Sequence, residues 1–244
     1  MIVAVLYSGV MKIFAISDLH LSFMVDKPMD LFGGHWTGYE DKIKASWNAN
    51  VGTDDIGIIA GDLSWAMKMN EAERDFEYIK GLNGHKVVVR GNHDYWWSSI
   101  SKVREALGDT VSALQNDSVR FERGVVIAGT RGWKVAERFR KLGPDDKKIY
   151  DREVLRLEMA LQDAHKKMQD RDKLVVVLHY PPFNSMRDDS EMTALIEKFG
   201  VDVCIYGHLH GKGGRQNLEF TKNGVRYYLT SCDILGFEVA SILV

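Results

Sequence analysis

The sequence predicts a layered α/β fold, and three features predict it. Short apolar runs, many rich in Val and Ile, alternate with longer segments of helical periodicity. The short runs are apolar at consecutive positions, the pattern of strands covered on both faces. Nearly every run ends in a loop that carries Asp, Asn or His.

In chain order, the first strand is expected at 12–16 (KIFAI), and it delivers Asp18-Leu19-His20. A helix near 40–50 follows, then a strand at 56–60 (IGIIA) that runs into Gly61-Asp62. A helix over 71–81 leads to the strand at 86–90 (KVVVR), which meets Gly91-Asn92-His93-Asp94 before a helix at 98–107. After 125–128 (VVIA) stands Gly129-Thr130-Arg131-Gly132-Trp133. The longest helix, 147–169, repeats Tyr150, Val154, Leu157, Leu161, Ala164 and Met168 at steps of four and three. The strand at 174–178 (LVVVL) ends on His179, and a helix near 189–199 follows. The strand at 202–206 (DVCIY) ends in Gly207-His208-Leu209-His210, and a last strand is expected at 225–230 (VRYYLT).

At 244 residues, with 45% apolar and 27% charged side chains, the chain reads as a single domain over 1–244. A chain of this size buries roughly 70–75% of its unfolded surface and needs no disulfide staple. Four prolines and no low-complexity run leave no linker to read. Cys204 and Cys232 lie in apolar runs without metal-type spacing, as buried thiols of a reducing compartment do, so the cytoplasm is the expected location. The apolar start MIVAVLYSGV lacks a signal peptide's basic region and cleavage site, and is too short for a membrane span. Residues 1–10 are expected to be a loosely attached extension, with Met11 as an alternative start. A net charge of −2 leaves no global basic field of the kind nucleic-acid binders use.

The strand-end loops carry the chemistry. In open α/β sheets, sites form in the crevice beyond the carboxyl ends of the strands, so residues as distant as Asp18 and His210 reach one edge. Five of the eight histidines (His20, His93, His179, His208 and His210) lie there with Asp18, Asp62 and Asn92. A nitrogen and oxygen donor set without thiolate suits Mn, Fe, Zn or a mixed pair and excludes an Fe–S cluster, whereas Mg alone prefers more oxygen. The seven candidate ligands exceed the needs of one four-coordinate zinc and suit two adjacent ions. Two divalent ions outweigh the two carboxylates, so the expected guest is an anion. Phosphate fits, because two metals clamp the attacking and leaving oxygens of an in-line displacement.

These residues resemble a known family. SDLH, GDLS, GNHD, a lone His after an apolar strand, and GHLH are similar, in order, to the five signature blocks of the calcineurin-like metallophosphoesterases, and they span 18–210. The resemblance implies a four-layer α/β/β/α sandwich, two mixed sheets face to face with helices outside. It implies that Asp18, His20 and His210 bind one divalent metal, that Asn92, His179 and His208 bind the other, and that Asp62 bridges them. It also implies a metal-bridging hydroxide as nucleophile and His93 as general acid. Asp94 is expected to support His93 by accepting a hydrogen bond, as carboxylates orient catalytic imidazoles; a helix or turn cap is its alternative reading.

The remaining candidates have blander readings beside the functional ones. Arg131 either binds phosphate bidentately or is a surface arginine, and Arg90 reads as a structural residue. Trp96, Trp97 and Trp133 either wall a substrate pocket or pack. His35 lies in a Gly-rich stretch that is a candidate cover for the site. His85 precedes its strand and reads as structural, and His165 as solvated. GKGGR at 211–215 lacks the Walker ending of a P-loop. The leading expectation is a phosphohydrolase acting on mono- or diesters of a phosphorylated small molecule, with no membrane partner. The alternatives are a nuclease on the same scaffold, disfavoured by charge, and a non-catalytic metal-binding interaction module.

Overall fold

The computed structural model describes residues 11–211 and 218–244. The extension at 1–10 and all but the first residue of GKGGR therefore lie outside the described residues. The element order is β1 (Ile13–Ile16), α1 (Tyr39–Asn50), β2 (Ile56–Ile59), α2 (Glu73–Lys80), β3 (His85–Val89), α3 (Ile100–Leu107), β4 (Val111–Leu114), β5 (Asp117–Phe121), β6 (Val125–Gly129), α4 (Pro144–Lys167), β7 (Lys173–Val177), α5 (Glu191–Lys198), β8 (Val203–Tyr206), β9 (Glu219–Lys222), β10 (Val225–Leu229) and β11 (Ala240–Ile242).

Two mixed sheets result. One has five strands in the order β11-β1-β2-β3-β4, the other six in the order β5-β6-β7-β8-β10-β9. β1 through β4 are parallel, β11 runs antiparallel to β1, and β5 and β9 run antiparallel to β6 and β10. The consecutive apolar positions are explained by where alternate residues go. Ile13, Ala15, Ile56, Ile58, Val87 and Val89 meet Val125, Ile127, Val175, Val177, Val203 and Ile205 between the sheets. Phe14, Ile16, Ile59 and Val88 point the other way, to a core shared with α1, α2 and α3. Val126, Ala128, Leu174, Val176 and Cys204 likewise face α4 and α5. Three apolar layers thus hold four structural layers together, the sandwich that the family resemblance implies.

Local chemistry sets the ends of the helices. α4 begins three residues earlier than its periodicity predicts, at Pro144, because proline suits a first helical position where no N–H partner exists. Ser190 caps α5, accepting hydrogen bonds from the amides of Met192 and Thr193. No helix among the described residues is long and apolar enough to cross a membrane.

Four strands were not expected from the sequence: β4, β5, β9 and β11. His85 is the first residue of β3, at the sheet edge away from the candidate ligands, and its ring bonds Ser112 Oγ at 2.8 Å. His165 is exposed and lies against the Phe199 carbonyl at 3.0 Å.

Candidate metal centre

All seven candidate ligands follow the carboxyl ends of β1, β2, β3, β7 and β8. Four of them, Asp18, His20, Asp62 and His208, hold left-handed backbone with φ of 60, 48, 52 and 71°. Such a conformation costs about 1–3 kcal/mol per non-glycine residue and persists only where the surroundings fix it. The surroundings here are the other ligand loops. Asp18 N donates to Gly61 O at 2.9 Å, His20 N to Asp62 O at 3.0 Å, and His208 N to Asp18 Oδ2 at 3.0 Å. Gly91 lies so close to Asp62 that a Cβ on it would sit 2.0 Å from Asp62 Oδ1 and 2.2 Å from its amide nitrogen. Glycine is needed there for close approach rather than for turning.

The ligand atoms converge. His210 Nε2 lies 3.3 Å from Asp18 Oδ1 and 3.4 Å from His20 Nε2. Asp62 Oδ2 stands 3.4 Å from His179 Nε2 and 3.9 Å from His20 Nε2. His179 Nε2 is 2.8 Å from Asn92 Oδ1. The His208 ring is 5.1 Å from that of His179, and the tilted Tyr180 ring lies 4.0 Å from it. Two groups, Asp18–His20–His210 and Asp18–Asp62–His179, present ligand atoms within 4.8 Å of one another. Asp18 stands in both, where the family pattern assigns it to one ion.

Electrostatics fit a cation. Asp62 Oδ2 is buried without a hydrogen-bond partner, and burial together with Asp94 and Asp18 holds its carboxyl well above the usual range. A buried carboxylate oxygen left unpaired among imidazoles is what a metal ligand looks like before it meets its ion. Burial pushes His20 down to about 3 and His179 and His208 to about 4, so all three are neutral donors. His210 is the exception: burial opposes its charge, but the bonds to Asp18 and Asp233 prevail and raise it to about 10.

Supporting contacts orient the rings. His179 Nδ1 donates to Ala60 O at 3.0 Å, which leaves Nε2 free to ligate. Asp233 does the same for His210, Oδ1 to Nδ1 at 3.0 Å. Sequence reasoning missed Asp233, although it follows β10 by only four residues, as the other site residues follow their strands. It also missed Trp65, whose indole stacks on His20 at 4.7 Å and meets His93 at 4.4 Å.

Asp94 requires a correction. It does not accept from His93: Oδ1 receives the amides of Leu63 (2.8 Å) and Ser64 (3.1 Å) and the Trp96 indole (3.1 Å), and Oδ2 receives Gly91 N at 2.7 Å. It fastens the GNHD turn to the Gly61-Asp62 loop. Burial raises its pKa to about 6 against those four bonds. His93 itself has a buried Nδ1 with no partner among the described residues, and burial lowers its pKa.

The tryptophan pair after GNHD packs. Trp96 lies against Phe76, and Trp97 bonds Gln115 Oε1 at 2.8 Å. Trp133 is half-buried, its ring tilted against Tyr180 at 5.0 Å. His35 is exposed and touches Trp36 and Phe237, with no contact to a candidate ligand. Arg131 turns toward Glu153, at 3.6 Å.

A two-sheet α/β sandwich with buried carboxylates and imidazoles gathered beyond its strand ends suits a metal-dependent phosphoesterase. The profile of the calcineurin-like phosphoesterases matches residues 11–212, and the chain belongs to that family, whose members use divalent metal ions. Among solved structures, the chain is similar to the phosphopantetheinyl hydrolase PptH of Mycobacterium tuberculosis, at 14% identity and TM-score 0.59 over 95% of each chain. It is also similar to TT1561 of Thermus thermophilus, at 12% identity and TM-score 0.53 over 96% of this chain and 99% of that one. At such identity these two likenesses show the fold. No curated protein matches the sequence.

Proposed function

We propose that the chain hydrolyses phosphate mono- or diesters of a small molecule at a dinuclear centre. The observation that carries this reading is Asp62 Oδ2, buried, unpaired and facing His179 and His20 from between them. Asp18, His20 and His210 would hold one divalent ion and Asn92, His179 and His208 the other, with Asp62 shared. Manganese, iron or zinc suits the donors. Such a pair supplies positive charge for the phosphoryl oxygens and a water acidified enough to attack near neutral pH.

The chain's own residues do the rest. Asn92 ligates through a neutral carbonyl and so cancels no charge. Trp65 stacks on His20 and walls His93, excluding water from that side of the site. His93, neutral when the site is empty because burial disfavours its charge, takes up a proton as a phosphate dianion arrives and passes it to the leaving-group oxygen. Asp94 is a positioning residue: it holds the turn that presents Asn92 and His93.

The test is turnover of p-nitrophenyl phosphate and bis-p-nitrophenyl phosphate with Mn, abolished by chelator and restored by metal. Asp62→Asn is expected to lose metal and activity together. Full metal loading with no turnover of any ester would sink the catalytic reading in favour of an interaction module. Salt-sensitive cleavage of DNA or RNA in place of small esters would favour the nuclease.

A further inference from the structure

We infer that Arg90 and Arg131 form a second anion subsite beside the centre, so that the substrate carries another phosphate or carboxylate besides the scissile phosphate. This rests on the phosphoesterase reading. Arg90 directly follows β3 and stands two residues before Asn92; Arg131 follows β6 by two residues and accepts on its carbonyl the amides of His179 (3.0 Å) and Tyr180 (3.1 Å). The two strand ends face each other across the sandwich, where a Cβ on Gly129 would lie 2.7 Å from Val89 Cγ1. Both arginines therefore border the Asn92–His179 half of the centre.

Their charges are not balanced. Glu153 is fully buried and is the carboxylate paired with Arg131, at 3.6 Å, but it lies closer to Arg156, at 2.7 Å, and also accepts from Thr130 Oγ1 at 3.0 Å. One carboxylate thus answers two guanidinium groups, and Arg90 forms no ion pair among the described residues. The Nε atoms of both Arg90 and Arg131 are buried with no hydrogen-bond partner among the described residues. Arginines with structural roles in this protein look different: Arg120 binds Asp172 at 2.7 Å, and Arg104 donates twice to Ala113 O. A buried donor left unpaired is destabilising, and an anion seated on the pair removes that cost for both. The Arg131 guanidinium also lies 4.6 Å from the Trp133 ring, which holds its plane. On the phosphoesterase reading the scissile phosphate sits at the ligand set, and the group these arginines receive is a second one.

The experiment measures binding of methylphosphonate and of alkylene bisphosphonates with one to four methylene groups to the Mn-loaded protein. Calorimetry reads affinity, and competition against p-nitrophenyl phosphate reads inhibition. At least one bisphosphonate is expected to bind about tenfold or more tightly than methylphosphonate, the loss of one charge-assisted pair being of that order. The ratio is expected to fall toward unity in Arg90→Gln and partway in Arg90→Lys, which keeps charge and stem but not the fork. Lys198→Gln, exposed on α5, controls for a lost charge and should leave the ratio intact. Equal affinity at every chain length, or a ratio indifferent to both Arg90 variants, overturns the subsite. A protein inert toward p-nitrophenyl phosphate in which bisphosphonates still depend on Arg90 overturns the phosphoesterase reading and leaves the subsite standing.

Discussion

Residues, more than folds, decide what this edge of the sandwich can do, and their tolerance to change differs sharply. Gly91 admits no side chain, since a Cβ there would enter Asp62 at both its carboxylate and its amide. Gly91→Ala is expected to displace Asp62, cost about 1–3 kcal/mol of stability as overpacking does, and lower bound metal measured by atomic absorption; full metal content with unchanged Tm would refute this. His93 offers the opposite case, a residue that no bond holds in place through Nδ1. His93→Ala should keep metal content yet slow hydrolysis of an alkyl phosphate by about 100-fold or more, the typical worth of a general acid. The loss should be much smaller on p-nitrophenyl phosphate, whose leaving group needs no proton, and equal losses on both would dismiss His93 as the acid. The candidate ligands stood out in the sequence because loops at strand ends have no packing use for so many imidazoles. The partners of Asp94 were not: its neighbour in sequence is His93, but its bonds reach back to Leu63 and Ser64, some thirty residues away. Side-chain direction in a turn is a tertiary outcome, and spacing alone does not fix it.

Elements show the same division between what is written locally and what is not. The seven strands expected from apolar runs are the seven interior strands of the two sheets. The four that were missed, β4, β5, β9 and β11, are the four sheet edges. An interior strand is covered on both faces and flanked on both sides, so it must be continuously apolar. An edge strand such as EFTK or DSVRF is short and polar, which protects the edge from pairing with other chains, and the same polarity hides it from periodicity. Gly57 is a further element-level device. It sits in β2, where a Cβ would fall 2.0 Å from Cζ2 of Trp47 on α1, so its bare backbone seats the indole that docks the helix. Gly57→Ala is expected to lower stability by about 1–3 kcal/mol in urea unfolding. Trp47→Leu, costly alone, should cost less in the Gly57→Ala background, and strict additivity would show that the two residues do not share the contact.

At the scale of the whole molecule, folding and metal loading are expected to be one equilibrium, because the distant loops that carry the candidate ligands meet only in the folded chain and such ligands must shed protons to bind. In the metal-free protein His20, His179 and His208, depressed by burial to about 3, 4 and 4, are neutral at pH 7, while His210, raised to about 10, is charged. The signs follow from comparison with the unfolded value near 6.5. The three depressed histidines contribute stability that is complete above pH 6.5 and is lost as pH falls toward 4 and 3. His210 contributes stability complete below pH 6.5 and lost as pH rises toward 10. Metal-free protein should therefore be most stable, as far as these groups decide, near pH 6.5. Loading changes the upper limb. The proton of His210 must leave for its Nε2 to ligate, so binding at about pH 7–8 should release about one proton from this residue. Calorimetric titration with Mn in two buffers of different ionisation enthalpy measures that release, and no difference between buffers would contradict it. Because the lost proton is returned to solvent, apparent metal affinity should climb with pH through this range, so the metal compensates at high pH for the ion pair that His210 gives up. At a hundredfold excess over Kd the ion should add about 2.7 kcal/mol, or roughly 5–10 °C in Tm for a chain of this length. That gain should shrink further as pH falls toward about 4, where protons compete with the ion for His179 and His208, and a Tm gain independent of pH would separate metal loading from these histidines.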